Sequence, residues 1–359
     1  MKQKRFLANY SQLLIPLIAI LLLVIFNLFR DPGFFSVGLS TNNNGDPVLQ
    51  GNLISILNGA SELVILSMGM TLVTAASGGQ DISVGAVIAI AGSVVLRVLC
   101  GDNPRPETMQ APIIVAFLIA CVVTMLFGAF NGMLVAYFKI QPMVATLILF
   151  TAGRSIGAWI NNNTLPIVNE PVFGYFGNYI PGIPVPTPVF IAIVCVAIIM
   201  LVLKFTNLGL YSQAVGINAN STRLNGVDPQ LIKFLTYVIM GLCVAVAGFI
   251  KVSRISTINY SVIAKDIEMD AILAVALGGN VLSGGKFNMW ASILGAYVIQ
   301  FLTTTLFKFG VASTALPAYK AVVVIILVVL SAPSVREKMK ELSKKFKQTK
   351  APAAAQGGN

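Results

Sequence analysis

Long apolar runs separated by short polar stretches dominate this chain. They fall at about 11–30, 51–75, 82–99, 112–136, 142–160, 187–204, 233–251, 268–283, 288–309 and 317–333. A helix of about 20 apolar residues crosses the hydrocarbon core of a bilayer. The pattern therefore predicts an all-α membrane protein of about ten transmembrane helices, with a transmembrane domain over 11–333. The eighth run is short and rich in glycine. The first, Ser11 to Phe29, is too long for a secretory leader and lacks a small-residue cleavage site, so it reads as a retained span.

Composition agrees. Of 359 residues, 56% are hydrophobic and 10% are charged, whereas soluble domains carry roughly 25% charged residues. The net charge of +11 could suggest a nucleic-acid partner, but its placement argues otherwise. Lys2, Lys4 and Arg5 lie in a tail at 1–10. Seven cations from Arg336 to Lys350, against Glu337 and Glu341, lie in a second tail at 334–359 that ends in low-complexity sequence. Basic segments flanking spans stay on the cytoplasmic side and face anionic lipid. Both termini are thus expected in the cytoplasm, which requires an even number of spans. The segment 161–186 has no Lys or Arg and is expected outside; 204–233 carries Lys204, Arg223 and Lys233 and is expected inside. One stretch dissents: 251–266 holds Lys251, Arg254 and Lys265, yet a ten-span count puts it outside.

Histidine is absent, and Cys100, Cys121, Cys195 and Cys243 form no CxxC pair, so neither metal nor disulfide spacing is visible. No nucleophile–base pair or catalytic pair of carboxylates stands out. Gly-Gly-Lys at 284–286 hints at a phosphate loop. That loop needs G-x-x-x-x-G-K-[ST], and here Asn280 and Phe287 occupy required positions. A re-entrant bend is expected over 278–287 instead. Ser77-Gly78-Gly79 and Ser283-Gly284-Gly285 echo each other, and each precedes a span. Gly85, Ala89 and Gly92 share one helical face, where small residues let helices approach closely. Asp81 to Ser83 suit a helix N-cap, and Pro142 suits a first helical turn. The proline-dense loop 166–188 is expected to be ordered.

Charged residues inside spans are costly and often functional. Glu62 and Arg154 both fall near mid-membrane, either as a buried pair or as lining of a polar pathway. Asn131, Phe150 and Trp159 are further pathway candidates, with lipid-interface anchoring the other reading for the aromatics. Glu268 and Asp270 lie near the expected outer end of the eighth span, where they could meet an external partner. In the long polar segment 206–232, residues Ser212 to Leu224 can form a short amphipathic helix stopped by Gly226. That helix either docks on a partner or is an ordinary loop.

Four stretches resemble permease subunits of the ribose/xylose/galactose-type ABC sugar importer family, in family order. They are GGQDISVGAVIAIAG (78–92), FNGMLVAYFKIQPMVATLILFTAGRSI (130–156), GLYSQAVGINANSTRLNGV (209–227) and EMDAILAVALGGNVLSGGKFNMWASILGAYVI (268–299). The wording IQPMVATLILFTAGR is similar to the galactofuranose branch. The resemblance implies an ABC importer permease fold in a bacterial cytoplasmic (inner) membrane. It implies that Gly209, Ala214, Gly216, Asn218, Arg223, Leu224 and Gly226 couple to separate ATPase subunits. Those subunits would hold ATP and Mg²⁺; this chain would hold no cofactor and is not expected to be an enzyme. A second permease copy or sister permease would complete the pathway, and an extracytoplasmic sugar-binding protein would deliver a pentose, hexose or galactofuranose. A nucleoside or other sugar-like substrate is the alternative within the family. An ion-gradient-driven secondary transporter is the rival class, and it predicts intramembrane carboxylates in a relay.

Overall fold

The computed structural model describes residues 2–41 and 45–331, with side chains described from 13 to 325. The tail expected at 334–359 lies outside the described residues, as do Asn42, Asn43 and Asn44. In chain order the elements are α1 (Lys2–Arg30), β1 (Gly38–Thr41), β2 (Pro47–Gln50), α2 (Asn52–Ser77), α3 (Val84–Cys100), α4 (Ile113–Ala136) and α5 (Pro142–Ile160). There follow α6 (Pro171–Gly174), α7 (Thr187–Phe205), α8 (Leu208–Ile217), α9 (Ala219–Leu224), α10 (Pro229–Ile255), α11 (Ile267–Leu277), α12 (Met289–Lys308) and α13 (Leu316–Ser331). β1 and β2 form an antiparallel ribbon in which Leu39 faces Leu49.

Each of the ten apolar runs contains a helix. Among the described residues, seven helices (α1, α2, α4, α5, α7, α10 and α12) are long and apolar enough to cross a membrane, while α3 and α13 are shorter apolar helices. This is a multi-pass helical membrane protein. α2 is its axis: every residue from Ala60 to Ala76 is buried, as expected of a helix that is apolar on all sides. α10 packs against α2, α3 and α4, and α12 packs against α2 and α11. α1, α4, α5 and α7 turn rows of exposed apolar residues outward, such as Leu118, Val122 and Leu126 on α4. In water such rows would be costly; against lipid they are not.

Glycine decides which helices come closest. A Cβ on Gly153 of α5 would sit 3.0 Å from the Ala86 side chain of α3, and one on Gly241 of α10 would sit 2.5 Å from the Thr124 carbonyl of α4. Gly92, singled out above for close approach, packs against Val252 of α10. Pro142 opens α5 as expected. Ser83 precedes α3 but does not cap it by its side chain; it bonds instead to Asp81.

The eighth run differs most from expectation. Its helix, α11, has only 11 residues, about 16 Å of rise, half the hydrocarbon core. The non-helical segment 256–266 precedes it and runs alongside α3. Ser256 accepts a bond from Val168 N at the far end of the bundle, Ile258 packs near Gly92, and the Ala264 carbonyl lies near Gly85. The irregular backbone thus precedes α11 as well as following it over 278–288. The proline-dense loop is ordered, as expected. Phe173 is fully buried, and Thr257 Oγ1 donates to the Pro166 carbonyl at 2.9 Å. These contacts place 256–260 at the same end of the bundle as 161–186.

Candidate functional site: a seated segment and a broken crossing

The polar segment 206–228 forms two helices where the sequence suggested one. α8 ends at Ile217 and α9 begins at Ala219 because Asn218 is extended (φ −158°, ψ 99°) and its side chain accepts from Ser221 N at 3.0 Å. An N-cap residue cannot also continue the preceding helix. Gly226, at φ 81° with open space around it, ends the segment, and Asp228 then caps α10 by accepting from Gln230 N at 2.9 Å.

α8 is seated on the bundle through Gly216. A Cβ there would fall far inside contact distance of the Ala75 carbonyl oxygen and of Gly285 N. Gly285 N donates to that same Ala75 carbonyl at 2.9 Å. The two glycine turns that echo each other in sequence meet here: a Cβ on Gly284 would lie 3.0 Å from Gly78 Cα. Gln80 Nε2 donates to the Leu282 carbonyl at 3.0 Å, and Asn280 Nδ2 reaches Ser292 Oγ at 2.7 Å. Ser292 Oγ is in turn 2.6 Å from Thr71 Oγ1. The apparent phosphate loop is therefore a packing turn, with one backbone N–H already bound to α2. Val215 is buried against Ala76 and Ile232, whereas Ile217 and Leu224 face outward, Leu224 being 90% exposed. Arg223 is exposed, and Gly209 and Ala214 are half-buried.

The intramembrane candidates separate into distinct settings. Glu62 and Arg154, expected as a candidate pair, do not meet. Glu62 Oε1 lies 2.8 Å from Arg254 Nη1 and 3.8 Å from Lys251 Nζ, with the Glu62 side chain 1% exposed. Arg254 Nη2 also donates to Asn58 Oδ1 at 3.1 Å, and its Nε to the Gly177 carbonyl at 3.2 Å. Two of the three cations that dissented from the charge rule are thus bound inside the bundle. A charge neutralised by a buried partner says little about which side of the membrane it faces.

Arg154 sits 12 residues into α5, about 18 Å along the helix. Its Nη1 donates to the carbonyls of Tyr260 at 2.8 Å and Ile263 at 2.7 Å. Non-helical backbone at membrane depth needs partners supplied by protein, and Arg154 supplies two of them. Phe150, one turn before it, is half-buried, and Trp159 is 74% exposed. Asn131 is buried on α4 and donates to Ser83 Oγ at 2.9 Å, which joins it to the Asp81 turn. Burial pushes the Asp81 carboxyl up from its ordinary value, against hydrogen bonds from Ser83 N and Oγ. Glu268 is 3% exposed and lies against Gly85. Asp270 is ion-paired with Lys320 of α13, Nζ lying 2.7 Å from both oxygens. Contact of either carboxylate with an external protein would need this region to open. Sequence reasoning missed Lys251, Arg254 and Lys320 as buried partners, although each sits within about one turn of the end of an apolar run.

Residues 52–332 match the family described as branched-chain amino acid transport system / permease component. The chain is 38% identical over 316 residues to the galactofuranose transporter permease protein of Escherichia coli (strain K12), covering 88% of each chain. It is 34% identical to the fructose import permease protein of Bifidobacterium longum (strain NCC 2705), over 93% of this chain and 92% of that one. It is 33% identical to the ribose import permease protein of Escherichia coli (strain K12), over 88% of this chain and 92% of that one. No solved structure matches. The chain belongs to this permease family.

Proposed function

We propose that this chain is the membrane-spanning subunit of an ATP-driven importer of monosaccharides, lying in a bacterial cytoplasmic membrane with ten crossings and both termini inside. The relatives named for galactofuranose, fructose and ribose favour a sugar over the amino acid in the family description. The observation that carries the reading is the seat of α8. A short helix with exposed apolar residues, pressed by Gly216 onto the backbone of α2 and the α11–α12 turn, is a means of receiving force from outside the chain. Packed interiors transmit displacement with little compliance. Separate ATPase subunits, which hold ATP and Mg²⁺, dock on the exposed side of 206–226, where Ile217 and Leu224 are presented. Motion of α8 then shifts α2 and the turn at 278–288.

A second copy or sister permease completes the pathway. Phe150, Arg154 and Trp159 on α5 border it beside the broken crossing, while Glu62 and Asn131 brace the bundle from within. A sugar-binding protein delivers substrate at the end built from 31–50 and 161–186. Glu268 and Asp270 come into play when the broken crossing opens. The ion-gradient alternative needs a relay of free intramembrane carboxylates; Glu62 and Asp270 are paired with cations, and Glu268 alone does not make a relay.

The deciding experiment reconstitutes the chain in liposomes, alone and then with its ATPase and binding protein. Uptake of labelled ribose, fructose, galactofuranose and leucine is measured with and without ATP. Sugar uptake is expected only with the full set and ATP. Uptake by the chain alone that collapses with the ion gradient would establish the rival, and ATP-driven leucine uptake would overturn the substrate class. Leu224→Asp should reduce ATPase pull-down at least about tenfold, on the scale of an exposed hot-spot residue, without changing the amount of permease in the membrane. Undiminished pull-down would remove Leu224 from the docking surface.

A further inference from the structure

Between the 206–228 segment and the α4–α5 turn lies a cavity of about 320 Å³. Lys139, Arg223 and Lys233 line it, together with Gln141, Asn220 and Gln230. The three cations come from different elements: the α4–α5 turn, the last turn of α9 and the second turn of α10. No carboxylate is among the lining residues. Among the described residues, none of the three cations is in an ion pair. Like charges brought together from separate elements repel unless an anion lies between them.

Two further features point the same way. The N-terminal ends of α5 and α10, at Pro142 and Pro229, form part of the wall, and helix N-termini carry partial positive charge. The first turn of α5 has no side-chain cap. That of α10 has Asp228, which bonds to Gln230 N. Val135, Ala136, Ile140 and Ala219 make the apolar part of the wall, and Ser77 of α2 adds a further polar side chain. Beside it on the same turn Tyr137 and Phe138 are exposed, the kind of residue that sits at head-group depth.

We propose that this cavity binds a phosphate group, that of an anionic phospholipid, with the head group among Lys139, Arg223 and Lys233 and the acyl chains along the exposed apolar face beside Tyr137. Basic pockets between helix ends suit such head groups. The bound lipid would tie α9 to α5 and α10 and so hold the seated segment in place. This inference needs only that the chain lies in a membrane and is independent of what it transports.

The test uses the full chain, purified in neutral detergent and stripped of lipid, then titrated with phosphatidylglycerol or phosphatidylcholine and followed by native mass spectrometry. Lys139 is left-handed at φ 57°, so Asn, which tolerates that backbone, is the neutral replacement there. Phosphatidylglycerol is expected to bind at least about tenfold more tightly than phosphatidylcholine. K139N/K233Q should weaken it about twenty-five-fold, at about fivefold per charge, and K139R/K233R should retain it. If the neutral double variant does not fold, K139N alone, on an exposed turn, should show the fivefold loss. Equal retention by wild type and neutral variants would place the lipid on the basic tails and overturn the proposal, as would equal binding of the two lipids. Inorganic phosphate is titrated separately. Binding of phosphate that is lost in K139N/K233Q, with no preference for phosphatidylglycerol, would overturn the lipid assignment in favour of a free anion.

Discussion

Replacing Glu62 with Gln should be among the most destabilising single changes in the transmembrane domain. The side chain is buried, and its carboxylate stands between Arg254 and Lys251. Removing one partner of a buried ion pair leaves the other charge without compensation, at a cost of about 3–5 kcal/mol. Here two cations would be left. Arg254 cannot withdraw into water easily, because its guanidinium also holds Asn58 and the Gly177 carbonyl. At about 2 °C per kcal/mol for a chain of this size, the thermal midpoint in detergent should fall by roughly 6–10 °C. The loss should appear first where the 161–186 loop meets α10, seen as faster proteolysis near Gly177. A double-mutant cycle decides whether the pairing is the cause. E62Q, R254Q and the double variant should show a coupling of at least about 2 kcal/mol, whereas independent sites add within about 0.5 kcal/mol. Additivity would mean that the loss does not come from the Glu62–Arg254 pair.

The same ion pair explains what could be read from the sequence and what could not. Hydropathy located every helix that crosses or nearly crosses, because lipid exposure forces long apolar runs. Glycine spacing located the close approaches of α3, because small side chains have few other uses there. The charge rule and the contacts of 251–266 disagree because the rule counts cations without knowing their partners. Glu62 lies about 190 positions away from them in sequence, and no local pattern joins the two. The search for a partner to Arg154 failed for a related reason. Sequence reasoning looks for the opposite charge, yet this guanidinium is satisfied by the carbonyls of Tyr260 and Ile263. Carbonyls are present at every position and leave no signature.

The half-length of α11 was hidden in the same way. Ala271 to Leu282 reads as a continuous apolar run broken only at Gly278 to Asn280. Nothing in composition shows that the preceding residues descend without a helix. The signal that existed was Arg154 itself. A guanidinium about 18 Å along a spanning helix is costly unless something polar lies beside it at that depth, and irregular backbone is such a partner. Tyr260, Ile263 and Arg154 are thus one structural unit.

Gly216→Val should uncouple the proposed importer while leaving the bundle in the membrane. The glycine lies on backbone, the Ala75 carbonyl and Gly285 N, neither of which can move aside as a flexible side chain could. Overpacking typically costs about 1–3 kcal/mol, and here the cheapest relief is to lift α8 off the bundle. The α2 to α12 packing does not depend on α8, so insertion and thermal midpoint should change little. ATP-driven uptake should fall at least about a hundredfold, and amide exchange over 208–217 should rise. Gly226 provides the contrast. Its surroundings are open, and its left-handed backbone makes Gly226→Ala cost only about 1–2 kcal/mol locally, so uptake should stay within a few-fold of wild type. The family resemblance treats the two glycines alike, as coupling residues. Equal losses of uptake in both variants, or unchanged exchange at 208–217 in Gly216→Val, would mean that the seat of α8 does not carry the coupling.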